Sequence, residues 1–199
     1  MSLAFVFPGQ GSQSIGMMSA LARVSPVIEA TFAEASQVLG YDLWRRCQDG
    51  PLEALNSTEC TQPAMLTAGA ATYRLWRERG GPQPAMMAGH SLGEFTALVA
   101  AGTLDFKTAV DLVRYRGELM QAAVPPGQGA MAAILGLEDI DIDEACNEAA
   151  QGEVGGGEFQ CARAGGDCGS CHGRGARHRH RHRKGGPASA RAADQRARA

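Results

Sequence analysis

The sequence predicts an α/β protein with a largely parallel sheet. Short apolar runs alternate with longer segments of helical character along the first 154 residues, which is the order expected when helices connect parallel strands. The chain has 199 residues, 44% of them hydrophobic, and a net charge of −2, which fits a globular protein. No stretch approaches the ~20 apolar residues of a membrane-spanning helix, so we expect no membrane partner.

The first predicted elements are a strand and a helix. Residues 3–7 are apolar and end at Pro8-Gly9, as in a buried strand that enters a turn. The pair Ser25-Pro26 predicts a capped helix start. That helix should end at Leu39, because Gly40 follows it.

The later elements continue the alternation, each bounded by glycine, proline or a capping residue. They are a helix from Pro63 to Arg79, a strand at 85–88, a helix that follows Gly93 and reaches about Ala101, a helix from Asp105 to Val124, a strand at 129–135 and a helix at 141–150.

Two pieces of unlike character, 1–154 and 155–199, make up the chain. Within the first piece, the residues from Pro125 to Gly129 predict a boundary between a domain at 1–124 and the start of a second, smaller one at 125–154. Residues 1–154 carry 9 basic and 18 acidic side chains, whereas 155–199 carry 10 and 3. The last segment contains no Val, Ile, Leu or Met, so it cannot bury a core and we expect its 45 residues to be disordered.

The motif Gly89-His-Ser-Leu-Gly93 lies between a predicted strand and a predicted helix. This is the context of a nucleophile elbow, in which a sharp turn raises the serine above the sheet. Ser91 is therefore the candidate nucleophile, and the amide of Leu92 would face a developing oxyanion. A chance glycine turn is the alternative.

A base that would activate Ser91 is not evident. His90 is the only histidine among residues 1–154, and as the neighbour of Ser91 it should point away from it. Gln10 lies in a glycine-rich loop after the first strand, at the edge where active sites form. Its amide could face the same oxyanion, although the pattern alone favours a flexible loop.

Arg116 shares a helical face with Ala109, Leu112, Val113 and Met120, which predicts that it points inward. A buried guanidinium needs a partner, either a ligand carboxylate held by its planar fork or an internal acidic side chain. Gln62 directly precedes Pro63 and is either a loop residue or a polar ligand, the former being favoured by the pattern.

The chain from Phe5 to about Val154 resembles the malonyl-CoA:acyl-carrier-protein transacylase family. The resemblance rests on a set of segments in a fixed order: Phe5-Val-Phe-Pro-Gly-Gln-Gly-Ser-Gln13, Thr61-Gln-Pro-Ala64, Ala88-Gly-His-Ser-Leu-Gly-Glu94, Arg114-Tyr-Arg-Gly117 and Gly129-Ala-Met-Ala-Ala133. It implies a hydrolase-like large domain with an inserted ferredoxin-like small domain, both truncated here.

The resemblance also implies the roles of the site residues. Ser91 would carry malonyl as an ester, and Gln10 with the Leu92 amide would hold the oxyanion. Arg116 would bind the free malonyl carboxylate, with Gln62 and His90 lining the site. The partners would be malonyl-CoA and acyl carrier protein, without a cofactor, metal or nucleic acid, and the protein a cytoplasmic monomer.

The tail after about Gly155 contains two motifs of its own. Cys168-Gly-Ser-Cys171-His172 matches a haem attachment signal, and His178 to Arg183 alternates His with Arg, as in metal or nucleic-acid binding. We hypothesise instead that the tail is read out of frame. Its degenerate codons, shifted by one base, permit Val-Asn-Phe-Asn-Ala-Pro-Gly-Gln, which resembles the next family segment, so an inserted or deleted base is required nearby.

The family function and the activity of this chain are separate expectations. The family's general base, a histidine after the small domain, has no counterpart here, so we expect poor catalysis or none. The alternatives are an acyltransferase domain of a polyketide synthase, a hydrolase of the same fold, and a non-catalytic body with a basic tail. The start of the sequence lacks the features of a secretory signal, from which we expect a cytosolic location.

Overall fold

The computed structural model describes residues 2–123 and residues 140, 141 and 144. The chain divides into two units, Met1–Gly129 and Ala130–Ala199. In the second unit the described residues are helical, and two of them lie within the helix predicted at 141–150. The strand predicted at 129–135, the proposed domain boundary and the tail fall outside the described residues.

The described part of the first unit contains two strands and seven helices. They are β1 (Ala4–Phe7), α1 (Ser19–Ala22), α2 (Val27–Leu39), α3 (Leu43–Asp49), α4 (Leu52–Asn56), α5 (Thr58–Glu78), β2 (Met86–Gly89), α6 (Leu92–Ala100) and α7 (Phe106–Ala123). Within this part of the chain, no helix combines the length and the apolar character needed to cross a bilayer.

The two strands pair in parallel, with Phe7 opposite Gly89, which confirms the predicted parallel arrangement. Both strands therefore end at the same edge of the sheet. On one face Phe5 packs against Tyr73 and Trp76 of α5, with ring centroids 5.7 and 5.5 Å away. This face is the one covered by helices.

Among the described residues, no helix or strand covers the opposite face of the sheet, so the prediction of a buried first strand is wrong for half of its side chains. Val6 is 78% exposed and Met86, on β2, is 64% exposed. Side chains alternate between faces along a strand, and the described helices cover the Phe5 and Phe7 side. Strands of parallel sheets are normally buried on both faces, whereas this apolar surface has no cover within the described part of the chain.

Local capping signals placed several helix ends correctly. The Ser25 hydroxyl accepts a hydrogen bond from the Val27 amide at 3.2 Å, and α2 ends before Gly40, whose φ is 75°. The Asp105 carboxylate accepts from the Thr108 amide at 3.0 Å at the start of α7. These ends are set by neighbours in the sequence, which is why the sequence predicts them.

Helix α5 begins at Thr58, five residues before the predicted start at Pro63. Pro63 lies inside the helix, where it removes one backbone donor. All residues from Cys60 to Ala68 are buried, and α5 packs against α2, α6 and α7. The local proline signal is overridden by this packing, which makes α5 the centre of the helical core.

The core cysteines are Cys47 and Cys60, both free and fully buried. Burial raises the pKa of the Cys47 thiol to about 12 and also raises that of Cys60. Both thiols are therefore protonated at neutral pH and are poor nucleophiles.

Helix α7 approaches α5 closely at Gly117. A Cβ at this position would lie 2.7 Å from the Thr58 carbonyl oxygen and 2.8 Å from the Glu59 Cα. Both atoms belong to the first turn of α5, so relief requires a shift of one helix. The glycine lets α7 bring its neighbouring side chains to the face of α5 that carries Gln62.

We expect Gly117→Ala to destabilise the protein by ~1–3 kcal/mol, the usual cost of overpacking. At an unconstrained helix position the same change would stabilise by ~0.5–1 kcal/mol. Urea denaturation measures the change in the free energy of unfolding. The sign of this change shows whether α5 constrains position 117. Lys107→Ala on an exposed position of α7 is the control, and a stabilised Gly117→Ala variant would contradict the close approach.

Candidate active site

Ser91 sits at the turn between β2 and α6 in a strained backbone conformation. Its φ is 50° and its ψ is −109°, a region that costs a non-glycine residue ~1–3 kcal/mol and is found at functional sites. Although Ser91 occupies the N-cap position of α6, its side chain makes no capping bond. The hydroxyl is thus not used to cap α6 and is available to other groups.

The glycines on both sides of Ser91 are required by close backbone approach. A Cβ at Gly89 would overlap the carbonyl carbon of Gly93, and a Cβ at Gly93 would overlap the carbonyl oxygen of Phe7. Helix α6 therefore starts directly against the ends of both strands. This is the strand–turn–helix geometry of a nucleophile elbow.

The guanidinium of Arg116 lies beside the Ser91 hydroxyl. Its Nη2 donates to Ser91 Oγ at 3.1 Å, and its Nη1 donates to Gln62 Oε1 at 2.8 Å. The same guanidinium is 5.8 Å from the centroid of the Phe95 ring. Three elements, α5, α6 and α7, thus meet at one serine.

An internal salt bridge is the alternative interpretation of Arg116. Among the ion pairs in the described part of the chain, Arg116 takes part in none, whereas Arg114 pairs with Asp111 and Glu118. Within the described residues the hydrogen-bond partners of the Arg116 guanidinium are the neutral groups of Gln62 and Ser91.

The buried face of α7 differs from the predicted one. Leu112 and Met120 are 42% and 48% exposed, so the expectation that they belong to the buried face is wrong. The buried positions are Phe106, Ala109, Val110, Val113 and Gly117. Arg116 lies between the buried positions Val113 and Gly117 in the sequence and is itself half-buried, so it stands at the flank of the buried face, where its guanidinium reaches Ser91.

Gln62 is part of helix α5 and is fully buried, so the loop reading favoured by the pattern is wrong. Its side-chain oxygen accepts from Arg116, and its Nε2 donates to the Met120 sulfur at 3.2 Å. The partners are 54 and 58 residues away in the sequence. Met120 is a neighbour of the site that sequence reasoning missed, although it lies one helical turn from Arg116.

The glycine-rich loop lies next to the elbow, as the parallel strands require. The His90 amide donates to the Phe7 carbonyl at 3.2 Å, and a Cβ at Gly9 would be 2.9 Å from His90 Nδ1. The imidazole thus contacts the loop backbone. His90 is exposed.

Gln10 is exposed in this loop. In the described residues no hydrogen bond joins it to the elbow. The loop is instead held by Gln13, which accepts from the Gly11 amide at 2.8 Å and donates to Asn56 at 3.0 Å. Of the predicted site residues, the structure brings together Ser91, Arg116 and Gln62.

A serine elbow at the end of parallel strands is the arrangement of proteins that form an acyl ester on serine. The acyl transferase domain family matches residues 4–155, and the chain belongs to this family. The match ends where the composition of the sequence changes.

Individual relatives are similar over the same region. The chain is 62% identical over 151 residues to the malonyl CoA-acyl carrier protein transacylase of Escherichia coli K12, a match that covers 76% of this chain and 49% of the relative. The chain thus spans about half the length of the curated relatives it matches.

Solved structures give the same result. The acyl carrier protein S-malonyltransferase of Vibrio cholerae superposes with a TM-score of 0.72 at 60% identity, covering 76% of this chain and 50% of that one. A malonyl-transacylase in complex with its type II polyketide-synthase acyl-carrier protein superposes with a TM-score of 0.75 at 59% identity, covering 77% and 50%. The described fold is therefore that of about half of each of these proteins.

Proposed function

We propose that this protein transfers malonyl from malonyl-CoA to the phosphopantetheine thiol of an acyl carrier protein through an ester on Ser91. The observation that carries the proposal is the 3.1 Å contact between Arg116 Nη2 and Ser91 Oγ. The names of the similar proteins support both substrates. Because the chain spans about half the length of these proteins, we propose their activity for this chain.

The geometry suits an acyl group with a short acidic chain. In a malonyl ester one methylene separates the ester carbonyl from the free carboxylate. A carboxylate at that distance from Ser91 Oγ would reach the guanidinium that now contacts the hydroxyl, and a guanidinium fork can bind it through two bonds. An acetyl group would leave the charge of Arg116 unpaired, which disfavours it.

In the first half-reaction, Ser91 Oγ attacks the thioester carbonyl of malonyl-CoA and its proton passes to a general base. The tetrahedral intermediate collapses with cleavage of the C–S bond, and the CoA thiol leaves with a proton. In the second half-reaction the carrier thiol loses its proton to the base and attacks the ester carbonyl, the bond between that carbon and Ser91 Oγ breaks, and Oγ takes up a proton. Both steps develop negative charge on the same carbonyl oxygen.

The oxyanion would be stabilised by the backbone amide of Leu92. Leu92 is the first residue of α6, where amides lack a partner within the helix and the helix dipole favours negative charge. Gln10 would add a side-chain amide from the neighbouring loop. This role requires the exposed Gln10 side chain to turn toward the elbow when substrate binds.

Arg116, which contacts Ser91, cannot act as the general base because a guanidinium has no atom that accepts a proton. His90, the only histidine among residues 1–154, contacts the loop at Gly9 and would line the site. We infer that the 199-residue chain binds malonyl-CoA and accepts malonyl slowly, since loss of a general base costs roughly 10²–10⁴-fold in rate.

The finer architecture is part of the same proposal. The described strands and helices would belong to a hydrolase-like large domain, and the residues after α7 to a ferredoxin-like small domain. We propose a cytoplasmic monomer that uses no cofactor or metal. The frame-shift hypothesis for the tail stays a prediction, which the nucleotide sequence around codon 155 would test.

A second candidate function differs in the carrier. One similar structure contains a type II polyketide-synthase acyl-carrier protein, and the chain is 46% identical over 141 residues to a polyketide biosynthesis protein of Burkholderia thailandensis. Both candidates share the acylation of Ser91. Carrier proteins of the two types, offered to malonylated enzyme, would separate them.

The proposed substrate is tested by comparing thioesters on the chain. We expect calorimetry to show malonyl-CoA binding more tightly than acetyl-CoA by at least tenfold, the equivalent of ~1.4 kcal/mol. CoA without an acyl group measures the contribution of the nucleotide part. Equal affinities for the malonyl and acetyl thioesters would contradict the proposed substrate.

A further inference from the structure

We propose that Met120 is a positioning residue, whose sulfur fixes the orientation of the Gln62 amide and through it that of Arg116. The inference rests on the proposed function where it concerns malonyl binding. It starts from a continuous series of contacts. Met120 Sδ accepts from Gln62 Nε2 at 3.2 Å, Gln62 Oε1 accepts from Arg116 at 2.8 Å, and Arg116 donates to Ser91 at 3.1 Å.

The amide of Gln62 could in principle face Arg116 with either end. A guanidinium only donates hydrogen bonds, so it requires the amide oxygen. Thioether sulfur only accepts, and weakly, so it requires the amide NH₂ group. Arg116 and Met120 therefore favour the same orientation of the Gln62 amide, with Oε1 toward Arg116 and Nε2 toward Met120.

Burial makes this selection consequential. Gln62 is 0% exposed, so water cannot replace a missing acceptor at its NH₂ group. An unpaired donor in such a place is costly. Without an acceptor at position 120, the amide would gain by turning or shifting toward another partner, and Arg116 would lose its fixed oxygen.

The backbone explains why one methionine can serve this purpose. Arg116 and Met120 are four residues apart on α7, so their side chains share one face of the helix. Gly117 between them allows close approach to the first turn of α5, one turn before Gln62. Met120 is 48% exposed, so burial in the core does not explain why a methionine occupies this position.

The test uses two variants of position 120 in the full chain. Met120→Leu keeps the volume and removes the acceptor, a change that cores tolerate well. Met120→Gln keeps an acceptor at similar reach. Met86→Leu, the same chemical change at an exposed position of β2, is the matched control.

We expect Met120→Leu to shift the NMR signals of the Gln62 side-chain NH₂ and of the Arg116 guanidinium. It should weaken malonyl-CoA binding about three- to tenfold and leave acetyl-CoA binding unchanged. Met120→Gln should restore most of the affinity, and Met86→Leu should resemble the wild type. In an Arg116→Ala background, Met120→Leu should have no further effect on malonyl-CoA binding.

Three results would overturn the inference. They are unchanged Gln62 and Arg116 signals in Met120→Leu, an equal loss of affinity with and without Arg116, and a Met120→Gln variant as weak as Met120→Leu. If the wild type binds malonyl-CoA and acetyl-CoA equally, the proposed function fails instead. The NMR comparison then still decides whether Met120 orients Gln62.

Discussion

Incubation of the chain with malonyl-CoA is expected to leave one malonyl ester, and Ser91→Ala is expected to abolish it. Ser91 is held at φ 50° with its hydroxyl uncapped and 3.1 Å from the Arg116 guanidinium, so its oxygen is placed where a bound thioester would arrive. Removal of the oxygen leaves no group there that can form the ester. Intact-mass spectrometry, followed by peptide mapping of residues 89–93, measures both results.

The comparison needs long incubation and a serine control. Acylation should be slow without a positioned base, so wild type and variant are compared at equal times over hours. Ser14→Ala, at an exposed serine after the glycine-rich loop, should acylate like the wild type. Malonylation of Ser91→Ala to the wild-type extent, or an adduct mapped to another residue, would refute the assignment of the nucleophile.

Local features of the site could be predicted from the sequence because they depend on adjacent residues. The elbow needs glycines where a Cβ would overlap backbone, and such a motif is visible as Gly89-His-Ser-Leu-Gly93. Parallel pairing of the two strands followed from the alternation of elements, and it places the loop of Gln10 beside the elbow. The ends of α2 and α7 followed from Gly40 and Asp105.

Contacts between distant residues could not be predicted in the same way. Pro63 signals a helix start to any local rule, yet α5 begins at Thr58 because its first turns are buried among other helices. Gln62 consequently looked like a loop residue, and its partners lie on α7, more than 50 residues away. The short helices α1, α3 and α4, of 4–7 residues, are too brief to show a helical period.

The open face of the sheet is a further feature beyond local rules. The apolar run of β1 correctly predicts a strand, but an apolar side chain such as Val6 is buried only if another element covers it. In the described structure Val6 and Met86 remain exposed. The sequence thus predicts which side chains are apolar enough to favour burial. Whether such a side chain is buried depends on whether another helix or strand packs over it.

Arg116→Ala is expected to remove the preference for malonyl-CoA. The guanidinium is held by Gln62 at 2.8 Å, and no ion pair in the described residues neutralises it, so a ligand carboxylate would be its charged partner. Truncation of one partner of such a pair costs ~2–4 kcal/mol, or roughly 30- to 1,000-fold in affinity. Acetyl-CoA has no group that uses the guanidinium, so its affinity should change little.

The helix supplies a matched control two residues away. Arg114 carries the same charge, but it pairs with Asp111 and Glu118 on α7 itself, so Arg114→Ala should bind both thioesters like the wild type. Arg116→Lys keeps the charge without the planar fork and should recover only part of the malonyl affinity. Because Arg114→Ala and Arg116→Ala lower the net charge equally, a difference between them cannot arise from general attraction of the anionic CoA. It would arise from the placement of one guanidinium at Ser91, and undiminished malonyl selectivity in Arg116→Ala would exclude that placement as the basis of recognition.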